Sequence, residues 1–250
     1  MLLKLIDDFK PIYVAVIFDV ARKTFRNDLY DLYKANRSDP PDELIPQFSI
    51  IRDATNAIGL PVVEMEGYEA DDLIATYSDI ASKMNKNVII VSSDKDLMQL
   101  VDQNTTLFDP MKQFWINDDK VFEKFGVYPN KVIDVQSLAG DSSDNVPGVP
   151  GIGVKTAADL INKYGDLETL LNSANEIKQN KRRETLIENK DKALISKKLV
   201  TLKNDAPVEK ELNEFKLKKV DKDKAIISKK LVTLKNDAPI EKNLEEFKLK

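Results

Sequence analysis

Eight carboxylates fall where this chain could gather them. Asp19 closes "PIYVAVIFD", Glu69, Asp71 and Asp72 lie in "EGYEADD", Asp94 and Asp96 in "SSDKD", and Asp141 and Asp144 in "GDSSDN". The chain contains neither Cys nor His. Disulfides, thiolate zinc sites, Ser-His-Asp triads and imidazole bases are therefore excluded. Chemistry is left to carboxylates, Lys, Tyr, Ser, Thr or a metal held by oxygen, and an all-oxygen site suits Mg²⁺, Mn²⁺ or Ca²⁺. Taken singly, each acid has an ordinary structural role, because acids at helix N-termini offset the macrodipole and Asp beside Ser makes turns. Gathered together, they would repel one another and raise their own pKa values unless cations compensated. Two divalent ions roughly 4 Å apart are the economical compensation; they activate water and stabilise a leaving oxygen in phosphodiester cleavage.

A basic, aromatic stretch follows Asp19. Three of the six arginines, Arg22, Arg26 and Arg37, lie in "RKTFRNDLYDLYKANR" with Lys23, Lys34, Phe25, Tyr30 and Tyr33. Such bases contact phosphates and such rings stack on unpaired bases. An amphipathic helix with its rings in the core has the same composition, but the position just after the Asp19 strand favours a substrate-gripping element. Four of the eight glycines fall in 140–153, beside Asp141 and Asp144.

The elements that must position these groups follow from periodicity. Residues 11–19, 60–66 and 87–94 read as buried strands, while 43–58 and 69–84 carry apolar residues at helical spacing. Strands alternating with helices imply a parallel sheet whose ligands gather at the strands' carboxyl ends. Beyond residue 118 strand signals stop, and short helices follow, three of them closed by Gly. The expected organisation is an α/β domain over 1–127 and an all-α domain over 128–218. Residues 191–218 recur at 223–250, identical at 24 of 28 positions, and are read as a recent duplication or cloning artefact without a function of its own. The i,i+3 spacing of Glu69/Asp72, and of Asp141/Asp144 if that turn is helical, puts each pair on one face. The net charge is −4. No apolar run approaches the ~18 residues of a membrane span and no secretory cleavage site is present, so a cytoplasmic location is expected.

Taken in order, "FDVARKTFRNDLYDLYKANR", "EGYEADD", "SSDKDLMQLV" and "GDSSDNVPGVPGIGVKTA" resemble the motifs of the 5′ nuclease family, closest to the 5′→3′ exonuclease domain of bacterial DNA polymerase I and its flap-endonuclease relatives. The resemblance spans about residues 1–218. It implies a PIN-like α/β domain followed by a helix–three-turn–helix domain, and Mg²⁺- or Mn²⁺-dependent hydrolysis of DNA or RNA at 5′ ends or flaps in replication and repair. Asp19, Glu69, Asp71 and Asp72 would serve one metal region; Asp94, Asp96, Asp141 and Asp144 would complete the other. The catalytic set would be Asp19, Lys34 and Arg37, with Lys34 touching the scissile phosphate. DNA contacts would come from Arg22, Arg26, Tyr33, Lys34 and Arg37. Gly148, Gly151, Gly153, Lys155 and Thr156 would hold a phosphate at a turn entering a helix, with a K⁺ on backbone oxygens of 148–153. Partners would be 5′-ended or flapped DNA, RNA primers and a following polymerase domain.

Two departures from the family pattern stand out. An initial strand with an Ile-Asp-Gly-type motif is not matched, and the C-terminal helices give way to the repeat from about 219. The first departure reads as an N-terminal truncation that makes the chain a fragment, and the acid missing with that strand favours an alternative of a different class, a catalytically impaired module that recognises DNA structure, against which the retention of the eight other acids argues. A PIN-type ribonuclease is a third reading, against which the glycine turn and the basic segment argue.

Overall fold

A computed structural model describes residues 1–20 and 23–218. Arg22 and the second copy of the repeat, 223–250, lie outside the described residues. Two compact units emerge. The first comprises Met1–Val16, Pro40–Val62 and, of the described residues, 213–218; the second comprises Ile17–Asp39 and Val63–Leu212.

In the first unit, α1 (Leu2–Phe9) ends at Lys10, which sits at φ 46 with its N–H donating to the Ile6 carbonyl. Val14 N–H donates to Phe215 O and Leu217 N–H to Ile12 O, forming a short antiparallel bridge. The expected strand over 11–19 shrinks to β1 (Val16–Ile17), which shares a two-stranded sheet with β2 (Val62–Val63). Between them in sequence, α2 (Phe25–Leu29) belongs to the second unit and α3 (Ile45–Ala57) to the first. The helix expected over 43–58 forms, but Leu44, Ile45, Phe48 and Ile51 remain exposed and only Thr55 of α3 is buried.

The second unit holds the main core. α4 (Ala70–Lys83) leads to β3 (Val88–Val91), a 3-10 turn at Asp96–Leu100, β4 (Thr105–Asp109) and β5 (Phe114–Ile116). β3 pairs parallel with β4, Val88 opposite Thr105, and β4 antiparallel with β5, Leu107 opposite Ile116. The β4–β5 hairpin was not anticipated from periodicity. Its turn is built by Asp109, whose buried carboxylate accepts from Ser93 Oγ (2.8 Å) and the Met111 and Lys112 N–H groups.

Helices then follow: α5 (Asp118–Phe125), α6 (Val132–Ala139), α7 (Val154–Tyr164), α8 (Leu167–Asn172), α9 (Asn180–Glu188) and α10 (Lys190–Val200). Gly126, Gly140 and Gly165 close α5, α6 and α7. One continuous cluster joins Ile90, Leu97, Leu107 and Val121 to Val132, Leu138, Ile161, Leu170 and Ala193, so the core does not break at residue 127. Each fully buried Leu or Ile in it contributes about 1.5–3 kcal/mol. This apolar floor fixes the loops above it, and those loops carry the acids. Among the described residues no helix is long and apolar enough to cross a membrane.

Candidate functional site

Four segments of the second unit converge on one cavity of about 120 Å³, lined by seven acids: Asp19, Glu69, Asp71, Asp94, Asp96, Asp141 and Asp144. Asp19 lies just past β1, and its carboxylate accepts from the Ala70 N–H at 2.7 Å, meeting the open N-terminus of α4. Glu69 is the N-cap of α4, and a capping box forms as Asp72 accepts from the Glu69 N–H at 3.1 Å. Asp94 follows β3 and accepts from the Asp96 N–H at 2.9 Å, which holds both acids of "SSDKD" in one tight turn. Asp141 and Asp144 sit in a loop closed by reciprocal backbone bonds between Asp141 and Val146, of 3.0 and 2.7 Å. That loop is a turn rather than a helix, so its shape, not helical spacing, aims both acids inward.

The loop needs its first two glycines. A Cβ on Gly140 would stand 2.6 Å from the Val146 carbonyl oxygen, and one on Gly148 2.5 Å from the Gly140 nitrogen. Both residues have positive φ, 69 and 57.

Cations from the chain itself sit among the acids. Lys34 Nζ is 2.8 Å from Glu69 and 3.7 Å from Asp144, and Arg37 pairs with Asp144. Lys34 holds φ 55, with its N–H donating to the Asp144 carbonyl at 2.9 Å. Asn36 reaches the Ser142 carbonyl and Asn145 the Leu32 carbonyl, each at 2.7 Å, so residues 32–37 are latched onto the acid-bearing loop. Lys95 bridges Asp96, at 3.1 Å, and Asp141. Proton affinity rises at two of these acids. Burial, then Asp94, Glu69, Asp19 and Asp96, push the Asp71 carboxyl up to about 7. Burial also raises Asp96, with Asp94 adding to the rise despite Lys95. At Asp141 burial pushes upward, but Lys95 and Ser143 outweigh it and hold the carboxyl below its usual range.

The tertiary structure corrects several sequence-based expectations. Asp72, expected beside the metals, does not line the cavity and is fully buried. It accepts from Arg26 at 2.6 and 2.7 Å and from the Lys203 N–H at 2.9 Å. Arg26, expected to grip phosphate, is 1% exposed; its remaining donors serve the Leu199 and Thr201 carbonyls. It is a strut between α2, α4 and the end of α10. Tyr33, expected to stack on a base, is 5% exposed and directs its hydroxyl to Glu69 and Asp144 at 3.2 and 3.4 Å. Gly148 is buried with its N–H donating to Ser196 Oγ at 2.9 Å, so it offers no phosphate ligand. Gly151, Gly153 and Lys155 are exposed and Thr156 half-buried at the start of α7, apart from the residues that line the cavity. Arg22 lies outside the described residues.

The donor set is entirely carboxylate oxygen, which fits a hard divalent cation. Among the described residues, however, no three acidic side chains are drawn together tightly enough to hold an ion as they stand. Lys34, Arg37 and Lys95 each hold one of these carboxylates in an ion pair. Sequence reasoning singled out Lys34 and Arg37 but passed over Lys95, Gln136, which donates to Asp96 at 2.5 Å, and Ser143, which donates to Asp141. The placement of Lys95 between Asp94 and Asp96 was the available signal for the first; nothing local marks Gln136.

Residues 1–126 match the family described as 5′-3′ exonuclease, N-terminal resolvase-like domain, and residues 127–223 match 5′-3′ exonuclease, C-terminal SAM fold. A DNA polymerase I of Rhizobium leguminosarum is 59% identical over 203 residues, 81% of this chain and 20% of that protein. A 5′-3′ exonuclease of Buchnera aphidicola is 39% identical over 229 residues, 87% of this chain and 80% of that one. The chain therefore spans 20% and 25% of the DNA polymerases I of R. leguminosarum and Bacillus caldotenax. Among solved structures, bacteriophage T5 5′-exonuclease with zinc bound superposes with TM-score 0.71 at 23% identity, covering 80% of this chain and 78% of that one. T5 flap endonuclease in a pseudo-enzyme-product complex with DNA and metal ions gives 0.72 at 21%, covering 91% and 88%. At these identities the likeness is one of fold: an α/β domain with parallel strand pairing, followed by a SAM-like helical domain.

Proposed function

The chain belongs to the 5′-3′ exonuclease family, and we propose that it hydrolyses DNA phosphodiesters from 5′ ends and at 5′ flaps, using two divalent ions, Mg²⁺ or Mn²⁺. One observation carries the reading: seven carboxylates from four separate segments line a single cavity that is flanked by Lys34 and Arg37. Asp19, Asp71 and Asp94 would hold one ion, and Glu69, Asp96, Asp141 and Asp144 the other. When bound, such ions supply an activated water and stabilise the leaving oxygen.

The chain's own groups do the rest. Arg37, with its side chain 53% exposed, and Lys34, at 21%, are cations at the cavity that can turn from Asp144 and Glu69 to a phosphate. The exposed Gly151, Gly153 and Lys155, with Thr156, form the second grip, on duplex backbone, where carbonyls of the turn would also take a K⁺. The domains proposed are 1–127 for cutting and 128–218 for duplex binding, with 219–250 a repeat without its own role. Because its relatives include much longer polymerases, a polymerase domain beyond this chain and RNA primers as substrates belong to the same proposal, as does a cytoplasmic site of action.

A second reading, a binding module without catalysis, is favoured by the internal cations that already pair with Asp96, Asp141 and Asp144. A 5′-flap duplex and a matched hairpin RNA, each incubated with Mg²⁺ or Mn²⁺, separate the readings. Metal-dependent flap cleavage is expected, and Asp94→Ala should abolish product while leaving DNA binding intact. Binding without product in the unaltered chain would favour the module; product from Asp94→Ala at the original rate would remove this acid from the chemistry.

A further inference from the structure

Resting on the two-ion reading above, we propose that Lys95 is a resident cation that occupies the Asp96–Asp141 side of the cavity and must leave it before the second ion binds. Its Nζ bridges two carboxylates from separate turns, hydrogen-bonding Asp141, 46 residues from Lys95 in sequence, and standing 3.1 Å from Asp96. Both acids are already oriented by other donors, Asp96 by Gln136 at 2.5 Å and Asp141 by the Ser143 N–H at 2.8 Å and its hydroxyl. Removal of the ammonium would leave two fixed carboxylates facing one point. Asp71 and Asp94 also line the cavity, and among the described residues no Lys or Arg stands within ion-pair distance of either.

The cavity is thus divided. Among the described residues an ion reaching Asp71 and Asp94 competes with no lysine or arginine paired to those two acids, whereas one reaching Asp96 and Asp141 competes with Lys95. The Lys95 side chain is 39% exposed. Its flexible stem can swing the ammonium into water at small cost, a freedom that the buried, four-times-bonded Arg26 lacks. The two ions accordingly bind in order, and the Lys95 pairing lowers the affinity of the second alongside the Lys34 and Arg37 pairings of Glu69 and Asp144. A positioning residue of this kind also keeps the two acid-bearing turns together before metal arrives.

The test is Mn²⁺ titration calorimetry on the chain and on Lys95→Met, paired with amine acylation of Lys95 in the unaltered protein, followed by mass spectrometry. Two ions are expected to bind, with Lys95→Met tightening the second by at least about tenfold, equivalent to about 1.4 kcal/mol, and leaving the first unchanged. Saturating Mn²⁺ should raise Lys95 acylation several-fold while Lys197, paired with Asp134 and Glu168 elsewhere, stays constant. A purely structural salt bridge would do neither. Two-ion binding with an unaltered second affinity, or acylation indifferent to Mn²⁺, overturns the role of Lys95 alone. No Mn²⁺ uptake by either protein would overturn the two-ion reading with it. The acylation result decides the matter should Lys95→Met not fold.

Discussion

Replacing Arg26 with Met is the sharpest test of how this site is held. The side chain is 1% exposed and its guanidinium makes four hydrogen bonds: two to Asp72 at 2.6 and 2.7 Å, one to the Leu199 carbonyl at 2.8 Å and one to the Thr201 carbonyl at 3.2 Å. Met fills similar volume but supplies none of these donors. Asp72 would keep only the Glu69 and Lys203 N–H groups, at 3.1 and 2.9 Å, as a fully buried carboxylate without a counter-charge. Removing one partner of such a pair costs about 3–5 kcal/mol, a large share of the roughly 5–15 kcal/mol that holds a typical domain. Urea denaturation of Arg26→Met, Asp72→Asn and the double variant should show a coupling energy above about 2 kcal/mol, because the double variant no longer buries a lone charge. Loss of DNA affinity in Arg26→Met with stability changed by less than about 1 kcal/mol would refute the argument. It would return Arg26 to the phosphate-gripping role that its sequence neighbourhood suggests.

Further outcomes follow from the same geometry. Asp71 is pushed up to about 7, so from the ordinary carboxylate pKa of about 3.9 up to that value the folded chain holds a proton that the unfolded chain has lost, and stability falls as pH rises through this window. Metal-free urea midpoints should therefore drop between about pH 4 and about pH 7, and Asp71→Asn should flatten the drop; an unchanged slope would place the linkage elsewhere. Gly148→Ala should cost more than the about 1–2 kcal/mol of a left-handed backbone, since its Cβ would meet backbone atoms at 2.5 and 2.7 Å. A Cβ at Gly153, by contrast, meets nothing within 4 Å. Gly153→Ala should leave thermal stability nearly unchanged while weakening duplex binding in a filter or anisotropy assay; undiminished binding would place the duplex contact elsewhere. Asn117 accepts from the Lys120 N–H as the N-cap of α5, so Asn117→Ala should lower unfolding free energy by about 1 kcal/mol without affecting metal binding.

Much of the architecture was legible because it rests on local rules. The helix at 69–84 announced itself by apolar spacing and an acidic first turn, and α5, α6 and α7 end at glycines as their patterns require. The β4–β5 hairpin was missed because its strands are short and its turn is organised by Asp109 reaching back to Ser93, a contact that no local pattern encodes. The expected strands over 11–19 and 60–66 survive as two-residue pairings, since a strand is defined by its neighbour's hydrogen bonds as much as by its own apolar run. The segment after Asp19 was ambiguous between core and substrate grip. Both readings hold in part, with Arg26 and Tyr33 turned inward and Arg37 at the rim.

What the sequence determined alone was the range of chemistry: with no His and no Cys, it is left to carboxylates, Lys, Tyr, Ser, Thr or a cation held by oxygen, and the acids grouped beyond predicted strands and helix starts point to the last. Which acid does what was a tertiary decision. Asp71 and Asp72 are neighbours in one motif, yet Asp71 lines the cavity and Asp72 is locked against Arg26. Adjacent positions on a helix point about 100° apart, so the packing of α2 against α4, not the motif, selects the carboxylate that faces the cavity.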